Sequence, residues 1–269
     1  MKTTPPLITL LTDFGTRDAY VAVMKTVILG LCPDARIVDL THEIAPQDIE
    51  EAAFLLSTVW PYCPDGTVHL IVVDPGVGTG RRLLAVSALG QTFIAPDNGV
   101  LSYLFAEDGG FRAYSVARRE HFLPRVADTF HGRDILAPVS ARIARGLPIE
   151  EVGPQALDPV RLALSAPIEK AHGLEVHVIH VDRFGNLITD LTADALDRWR
   201  PQASRRRTSV RLGERSLGEI RGTYAEAEPG EPLALFGSSG RLEIAVHGGS
   251  AAERLGLAKG DAMLVECGE

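Results

Sequence analysis

Residues 67–74, TVHLIVVD, constrain the fold more than any other stretch. The run is apolar and largely β-branched, with no polar face, so as a strand it must be covered on both sides. A parallel sheet with helices on both faces meets that condition, and the preceding chain supplies the parts. PLITLLTDFG (6–15) is an apolar run stopped by Asp-Phe-Gly. Tyr20, Val23, Met24, Val27, Ile28 and Leu31 then recur at helical spacing, with Thr16 placed to cap them. ARIVDLT (35–41) reads as a second strand, and Pro46 opens a second helix across residues 46–60. This β-α-β-α-β order predicts an α/β domain whose central, mainly parallel sheet is flanked by helices. Ligands are then expected beyond the carboxyl ends of the strands.

The pattern continues as a hairpin turning at Leu89-Gly90, then helices over 99–107 and 133–146, the latter stopped by Gly146. Beyond a polar stretch at 165–173 the character changes. Short strand signals dominate (174–181, 186–191, 208–213, 232–237, 241–248, 262–266), and the single clear helix, 192–199, has Thr192 as its N-cap. The chain is therefore expected to comprise an N-terminal α/β domain (1–165), a linker (166–173) and a smaller β-rich C-terminal domain (174–269), a barrel or a sandwich.

Charge and cysteine usage narrow the class. A net charge of −8 disfavours nucleic acid, whose binding rests on clustered Lys and Arg. The one basic cluster, Arg205–Arg207, reads as a solvated turn or strand edge. No apolar stretch has the length of a membrane span, and the N-terminus lacks the apolar region of a signal peptide. Cys32, Cys63 and Cys267 are odd in number and far apart, as expected of reduced thiols in a cytoplasmic protein.

The loop after the buried strand, DPGVGTGRR (74–82), invites a phosphate-binding reading and fails it. A P-loop needs Lys and a hydroxyl residue after its last glycine; a dinucleotide loop needs a third glycine where Arg81 stands, and a helix rather than a hairpin after it. What remains is an acid at the end of a central strand and a glycine turn that lets Arg81 come back towards Asp74. Two readings stay open for that pair, a structural turn cap or a catalytic group. Asp13 holds the equivalent place after the first strand, where an acid can accept from ribose hydroxyls. In TFHGRD (129–134), His131 falls near a helix N-terminus with Asp134 in the first turn; that positive end favours a neutral, base-competent imidazole. His42 reads as structural. In the second domain DRFGN (182–186) is either a plain hairpin turn or a nucleobase contact, with the Phe184 ring to stack and the Asn186 amide to pair. LFGSSGRLEI (235–244) offers hydroxyls and N–H groups suited to a carboxylate, or is a Gly-Ser turn.

Taken in order, LLTDFGTRDAYVAVMK, CPDARIVDLTHEIAPQDIEEAAFLL, GTVHLIVVDPGVGTGRR, IAPDNGVLS, TFHGRDILAP, DRFGNLITDL and GSSGRLEIAV resemble the adenosine-forming S-adenosylmethionine (SAM) hydrolases, relatives of the fluorinase and chlorinase. The resemblance spans about residues 7 to 267. It implies cleavage of SAM by water at C5′ of the ribose, with no cofactor. It also implies a homotrimer whose sites lie between the N-terminal domain of one subunit and the C-terminal domain of the next. The family's Asp-Arg-His set falls on Asp74, Arg81 and His131, and its ribose acid on Asp13. Asp182 matches the contact to the methionine ammonium, Phe184 and Asn186 the adenine pocket, and Ser238 the carboxylate contact. Tyr224 matches a wall of the adenine slot, and the backbone at Val246 and Gly248 the adenine edge.

Halogenating relatives carry a long insertion where only LLAVSALGQTF separates Arg82 from IAPDNG. They also have tyrosine in place of Asp74 and Tyr-Ser in place of His131-Gly132. A carboxylate would repel a halide, so the resemblance is to the hydrolase branch. Ser239 stands where relatives have arginine, and Gln47 where the halogenating ones have tryptophan. The sulfonium leaves as a neutral thioether, so the protein need only align and activate water. Arg81 can stabilise developing hydroxide, and either Asp74 or His131 can take the proton. Two rivals remain: a metal-dependent phosphohydrolase with Asp13, Asp74 and His131 as ligands, and a nucleoside- or SAM-binding protein without turnover.

Overall fold

The computed structural model of the chain describes residues 4–107, 109–199 and 208–267, the side chain of Cys267 excepted; that thiol and the Arg205–Arg207 cluster lie outside the described residues. The chain divides into two compact units, Met1–Ala163 and Leu164–Glu269.

The first unit is built on a six-stranded sheet: β1 (Leu7–Thr12), β2 (Arg36–Thr41), β3 (Val68–Val72), β4 (Leu83–Ala88), β5 (Gln91–Pro96) and β6 (Arg112–Ser115), in the order β2-β1-β3-β5-β4-β6. The first four in that order run parallel; β4 and β6 complete the sheet antiparallel. Every residue of β3 is buried, as its mainly apolar sequence demands, and its one polar side chain, His69, is bonded to Thr9 and Gln91. Successive side chains go to opposite faces. Val68, Leu70 and Val72 join Ile8, Met24 and Val139 in one core cluster, while Ile71 and Val73 join Leu56, Trp60 and Phe93 in the other. Helices α1 (Tyr20–Leu31) and α3 (Ala137–Ala144) supply the first cluster, and α2 (Ile49–Ser57) the second. Leu89 (φ 52°) and Gly90 (φ 71°) make the tight turn of the β4–β5 hairpin, both left-handed as such a turn requires.

The helix starts differ from the sequence expectation. Thr16 does not cap α1: Ala19 holds the cap position, and the Thr16 hydroxyl donates to Glu43 Oε1 at 3.3 Å. Pro46 does not open α2 either. Gln47 has φ 70°, which no helix admits, so the helix starts after Asp48, whose side chain accepts from Glu51 N at 2.8 Å. In both places the residues before the helix fold over the strand ends instead. The helix expected over 99–107 shortens to a 3₁₀ turn at Leu104–Ala106, and the one over 133–146 begins as a wide π-type turn, Gly132–Leu136, ahead of α3.

The second unit is a closed barrel of seven strands, β8 (Gly173–Val181), β9 (Leu187–Thr192), β10 (Thr208–Leu212), β11 (Arg215–Arg221), β12 (Pro232–Phe236), β13 (Arg241–Val246) and β14 (Ala262–Cys267). They follow the order β14-β10-β11-β12-β13-β9-β8, and β14 pairs with β8 to close the ring, which removes free sheet edges. The segment expected as a linker carries one more strand, β7 (Ile168–Lys170), paired with β8. Val176, Val178, Leu187, Val210, Ile244 and Val265 fill the interior. Helix α4 (Ala193–Trp199) is capped as expected, Thr192 Oγ1 accepting from Ala195 N at 3.1 Å; α5 (Ala251–Leu255) starts at Ser250. Among the described residues no helix is long and apolar enough to cross a membrane.

Candidate active site

The first unit gathers its chemical groups at the carboxyl ends of β1 and β3. Asp74 follows β3 by two residues, and the glycine loop after it turns tightly. Val77 N donates to Asp74 O, and the Thr79 hydroxyl to Gly76 O at 2.7 Å. Gly78 is required there on two counts. Its φ is 78°, and a Cβ would sit 2.6 Å from Asp128 O. The turn returns Arg81 to Asp74. Arg81 Nε donates to Asp74 Oδ1 at 2.5 Å, and Nη2 donates to Oδ2, making a bidentate pair whose side chains are only 10% and 5% exposed. Nη2 also donates to His131 Nδ1 at 3.0 Å.

That last bond fixes the state of His131. A guanidinium only donates, so Nδ1 must be the unprotonated nitrogen and the ring proton of the neutral imidazole sits on Nε2. The titration of the ring agrees. Burial pushes its pKa below the usual histidine value, Arg81's charge adds to the fall, and Asp74, Asp128 and Asp134 partly oppose it. The bond and the titration both point to a neutral ring, but its basic nitrogen, which the sequence reading left available as a base, is occupied by Arg81. The two leading causes of the lowered pKa are desolvation and the neighbouring cation. The π-type turn that begins at Gly132 brings His131 close to β3: a Cβ on Gly132 would lie 2.9 Å from Val72 Cγ1. Asp134, 1% exposed, anchors the turn by accepting from Ala127 N at 2.9 Å and from Arg133.

Asp13 follows β1 and faces the same cleft, of about 390 Å³, which Asp13, Phe14, Tyr20, Gln47, Asp74 and His131 help to line. One Asp13 oxygen, Oδ2, accepts from Gln47 N at 2.9 Å, and this bond is where the left-handed Gln47 backbone is used. Behind it, Thr12 Oγ1 meets His42 Nδ1 at 2.9 Å and Gly15 N donates to His42 O, so His42 holds the Asp-Phe-Gly loop in place, a structural role. Asp13, Asp74 and His131 are thus brought together. Both Asp74 oxygens and His131 Nδ1, however, are committed to a guanidinium, a poor arrangement for the metal-ligand set considered above. Among the described residues no group of three His, Cys, Asp or Glu is placed to hold a metal ion.

The second unit has a cleft of its own, about 460 Å³, lined by Phe184, Asn186, Tyr224, Val246 and Gly248 together with His247 and Gly249. Phe184 and Asn186 reach it from the 182–186 turn, and Asp182 is not among its lining residues. Asp182 Oδ1 accepts from Phe184 N (2.8 Å) and Asn186 N (2.9 Å), and Oδ2 from Asn186 Nδ2 (2.9 Å). Gly185 (φ 80°) passes so near Ser250 that a Cβ would lie 2.1 Å from its hydroxyl. The turn leaves the Phe184 ring 76% exposed. Ser238 is not among the residues that line this cleft. It lies in the exposed turn between β12 and β13. Sequence reasoning also missed Glu243, on β13, which is 5% exposed and accepts from the Tyr224 hydroxyl at 2.6 Å. A lone acid inside the apolar run RLEIAV was the only signal.

The comparisons with known proteins fit this arrangement. The SAM hydroxide adenosyltransferase N-terminal domain matches residues 8–153, and the C-terminal domain of the same family matches residues 176–264. A (R)-S-adenosyl-L-methionine hydrolase of Thermus thermophilus is 42% identical over 258 residues, 93% of this chain and 95% of that protein. One from Salinispora tropica is 39% identical, covering 98% of each. A crystal structure of an uncharacterized conserved protein from Thermotoga maritima superposes with a TM-score of 0.88 at 36% identity, covering 96% of this chain and 99% of that one. The chain belongs to the SAM hydroxide adenosyltransferase family.

Proposed function

We propose that the protein hydrolyses S-adenosyl-L-methionine at C5′ of the ribose, giving adenosine and L-methionine. The observation that carries this reading is the interlocked Asp74–Arg81–His131 constellation, of which Asp74 and His131 line one cleft with Asp13 while Arg81 stands behind them. The relatives named as SAM hydrolases at 42% and 39% identity support it.

The chemistry asks little of the protein beyond placement. The sulfonium departs as a neutral thioether, so no general acid and no cofactor is needed. Asp13, with Oδ2 held by Gln47 N, has Oδ1 left to accept from a ribose hydroxyl and so orient C5′. His131 has its proton on Nε2 and can only donate from there, so it positions the attacking water. Asp74 is then the group left to accept the water's proton, through the second lone pair of a carboxylate oxygen already bonded to Arg81. Arg81 stabilises the hydroxide character that develops as the C–O bond forms and the C–S bond breaks. Positioned acid–base catalysis of this kind contributes roughly 10²–10⁴-fold.

In the same reading the adenine stacks on Phe184 and Tyr224 and meets Asn186 and the backbone at Val246 and Gly248. Asp182 takes the methionine ammonium, and Ser238 the carboxylate. In this reading, as the family resemblance implies, the complete site forms between the first unit of one copy and the second unit of its neighbour in a homotrimer. The free thiols of Cys32 and Cys63 suit a cytoplasmic protein. Incubation with SAM, followed by chromatography for adenosine and methionine, tests the function. Stoichiometric release of both is expected, and unchanged SAM would overturn it. Light scattering tests the trimer.

A further inference from the structure

Among its described residues the second unit buries two acids that the proposed mechanism does not use; Asp190 is bonded to Ser165 and His177 within the fold, whereas Glu243 reaches a cleft residue. Glu243 stands in β13, opposite Ile188 of β9, and is 5% exposed. Burying a carboxylate among apolar strands is costly unless it is bonded to something that needs it. Its contacts point to the cleft. Oε1 accepts from the hydroxyl of Tyr224, a residue of the 3₁₀ turn Tyr224–Glu226 whose ring lines the cleft opposite Phe184's turn. Oε2 lies against the backbone of Gly237, where a Cβ would be only 2.3 Å away, at the start of the turn that carries Ser238. Asp182 is near enough for its charge to raise the pKa values of both Tyr224 and Glu243. One carboxylate therefore holds the Tyr224 hydroxyl at the cleft and packs against the start of the 237–240 turn.

We infer that Glu243 is a positioning residue: it holds the Tyr224 ring upright as a wall of the aromatic cleft and sets the 237–240 turn beside it, so that it governs affinity for the adenosyl end of the substrate and not the chemical step. Tyr224 is otherwise poorly restrained, being 42% exposed on a single 3₁₀ turn, and its hydroxyl bond to Glu243 is the contact that selects one ring orientation. A second consequence follows. The tyrosine proton is held by burial and by donation to Glu243, which together push the Tyr224 pKa up to about 12.

The inference rests on the SAM reading, and the test keeps the two separable. Steady-state kinetics with SAM would be compared for the wild type and for Glu243→Ala, Glu243→Gln, Tyr224→Phe and the Glu243→Ala/Tyr224→Phe double variant. Loss of one hydrogen bond to a charged group in a binding cleft corresponds to a rise in KM of about tenfold. That rise is expected for Glu243→Ala and for Tyr224→Phe, with kcat within about twofold of wild type. Non-additivity is expected in the double variant. Glu243→Gln keeps an acceptor for the hydroxyl and should hold KM close to wild type. An unchanged KM in Glu243→Ala, a fall in kcat with KM unchanged, or full additivity would each overturn the inference. Should Glu243→Ala fail to fold, Tyr224→Phe and Glu243→Gln carry the same test. An ultraviolet titration of tyrosine gives an activity-free readout: the midpoint near 12 should move down towards the ordinary value in Glu243→Gln, and superimposable titrations would contradict the contact. If the wild type does not turn over SAM, the substrate assignment fails, and the titration alone decides the clamp.

Discussion

The two clefts are of similar size and are built on opposite plans. In the first unit, three ionisable side chains, Asp74 and Arg81 from one loop and His131 from the turn ahead of α3, lock onto one another. In the second unit a five-residue turn, a short 3₁₀ segment and exposed backbone present aromatic and amide surface with little charge. The contrast separates two tasks. A reacting water needs groups held in defined protonation states within fractions of an ångström, which an interlocked ion network supplies. A nucleobase needs a flat apolar wall and a few backbone or amide partners, which a local turn supplies cheaply. In the proposed reading, chemistry belongs to the first cleft and recognition of the base to the second.

Substitutions should divide along that line. The largest effect is expected in the first cleft: Asp74→Ala and His131→Ala should lower kcat by roughly 10²–10⁴-fold. Substrate Kd by calorimetry should stay within a few-fold. Equal losses in turnover and binding would erase the distinction. In the second cleft, Phe184→Ala should raise KM about tenfold with little change in kcat, since a stacked base is worth roughly 1–3 kcal/mol. A fall in kcat alone would assign that ring to the wrong side of the comparison.

The next effect is one of pH. Burial and Arg81 hold the His131 pKa below the usual value of 6.5, so the imidazole is neutral at pH 7 and remains so as the pH falls past 6.5. The acid limb of the kcat–pH profile is therefore expected below 6.5. Replacing Arg81 with Met removes the second-largest cause of the shift and should move the limb of the residual activity upward. A limb at or above 6.5 in the wild type would mean that His131 is not held neutral.

The sequence revealed these plans unevenly. The buried strand 67–74, the glycine loop and the hairpin at Leu89-Gly90 were legible because each rests on local rules: a mainly apolar run, a required positive φ, a two-residue turn. Thr16 and Pro46 misled because both satisfy local capping rules. The segments around them are used instead to build the Asp13 side of the cleft, where Gly15 N bonds to His42 O and Gln47 N bonds to Asp13. Barrel closure rests on the pairing of β14 with β8, some ninety residues apart, for which a strand pattern carries no signal. Glu243 escaped for a similar reason: its partner Tyr224 is distant in sequence, and acids on strands ordinarily face water.

Gln47 gives the smallest effect. A non-glycine residue at φ 70° is strained by about 1 kcal/mol or more. Gln47→Gly keeps the backbone N–H that serves Asp13, so chemical denaturation should show stability raised by about 1 kcal/mol, less the added chain entropy, with SAM turnover unchanged. A destabilised variant would mean that the Gln47 side chain contributes more than its backbone does.

The central claim is that one water, held by Asp74, Arg81 and His131, attacks C5′ of the ribose. Reaction with SAM in water enriched in heavy oxygen, followed by mass spectrometry of the products, tests it directly. The account predicts one heavy oxygen in the 5′-hydroxyl of adenosine and none in methionine. Label in the amino-acid fragment, or a methylthio-nucleoside in place of adenosine, would place the attack on a different carbon and contradict it.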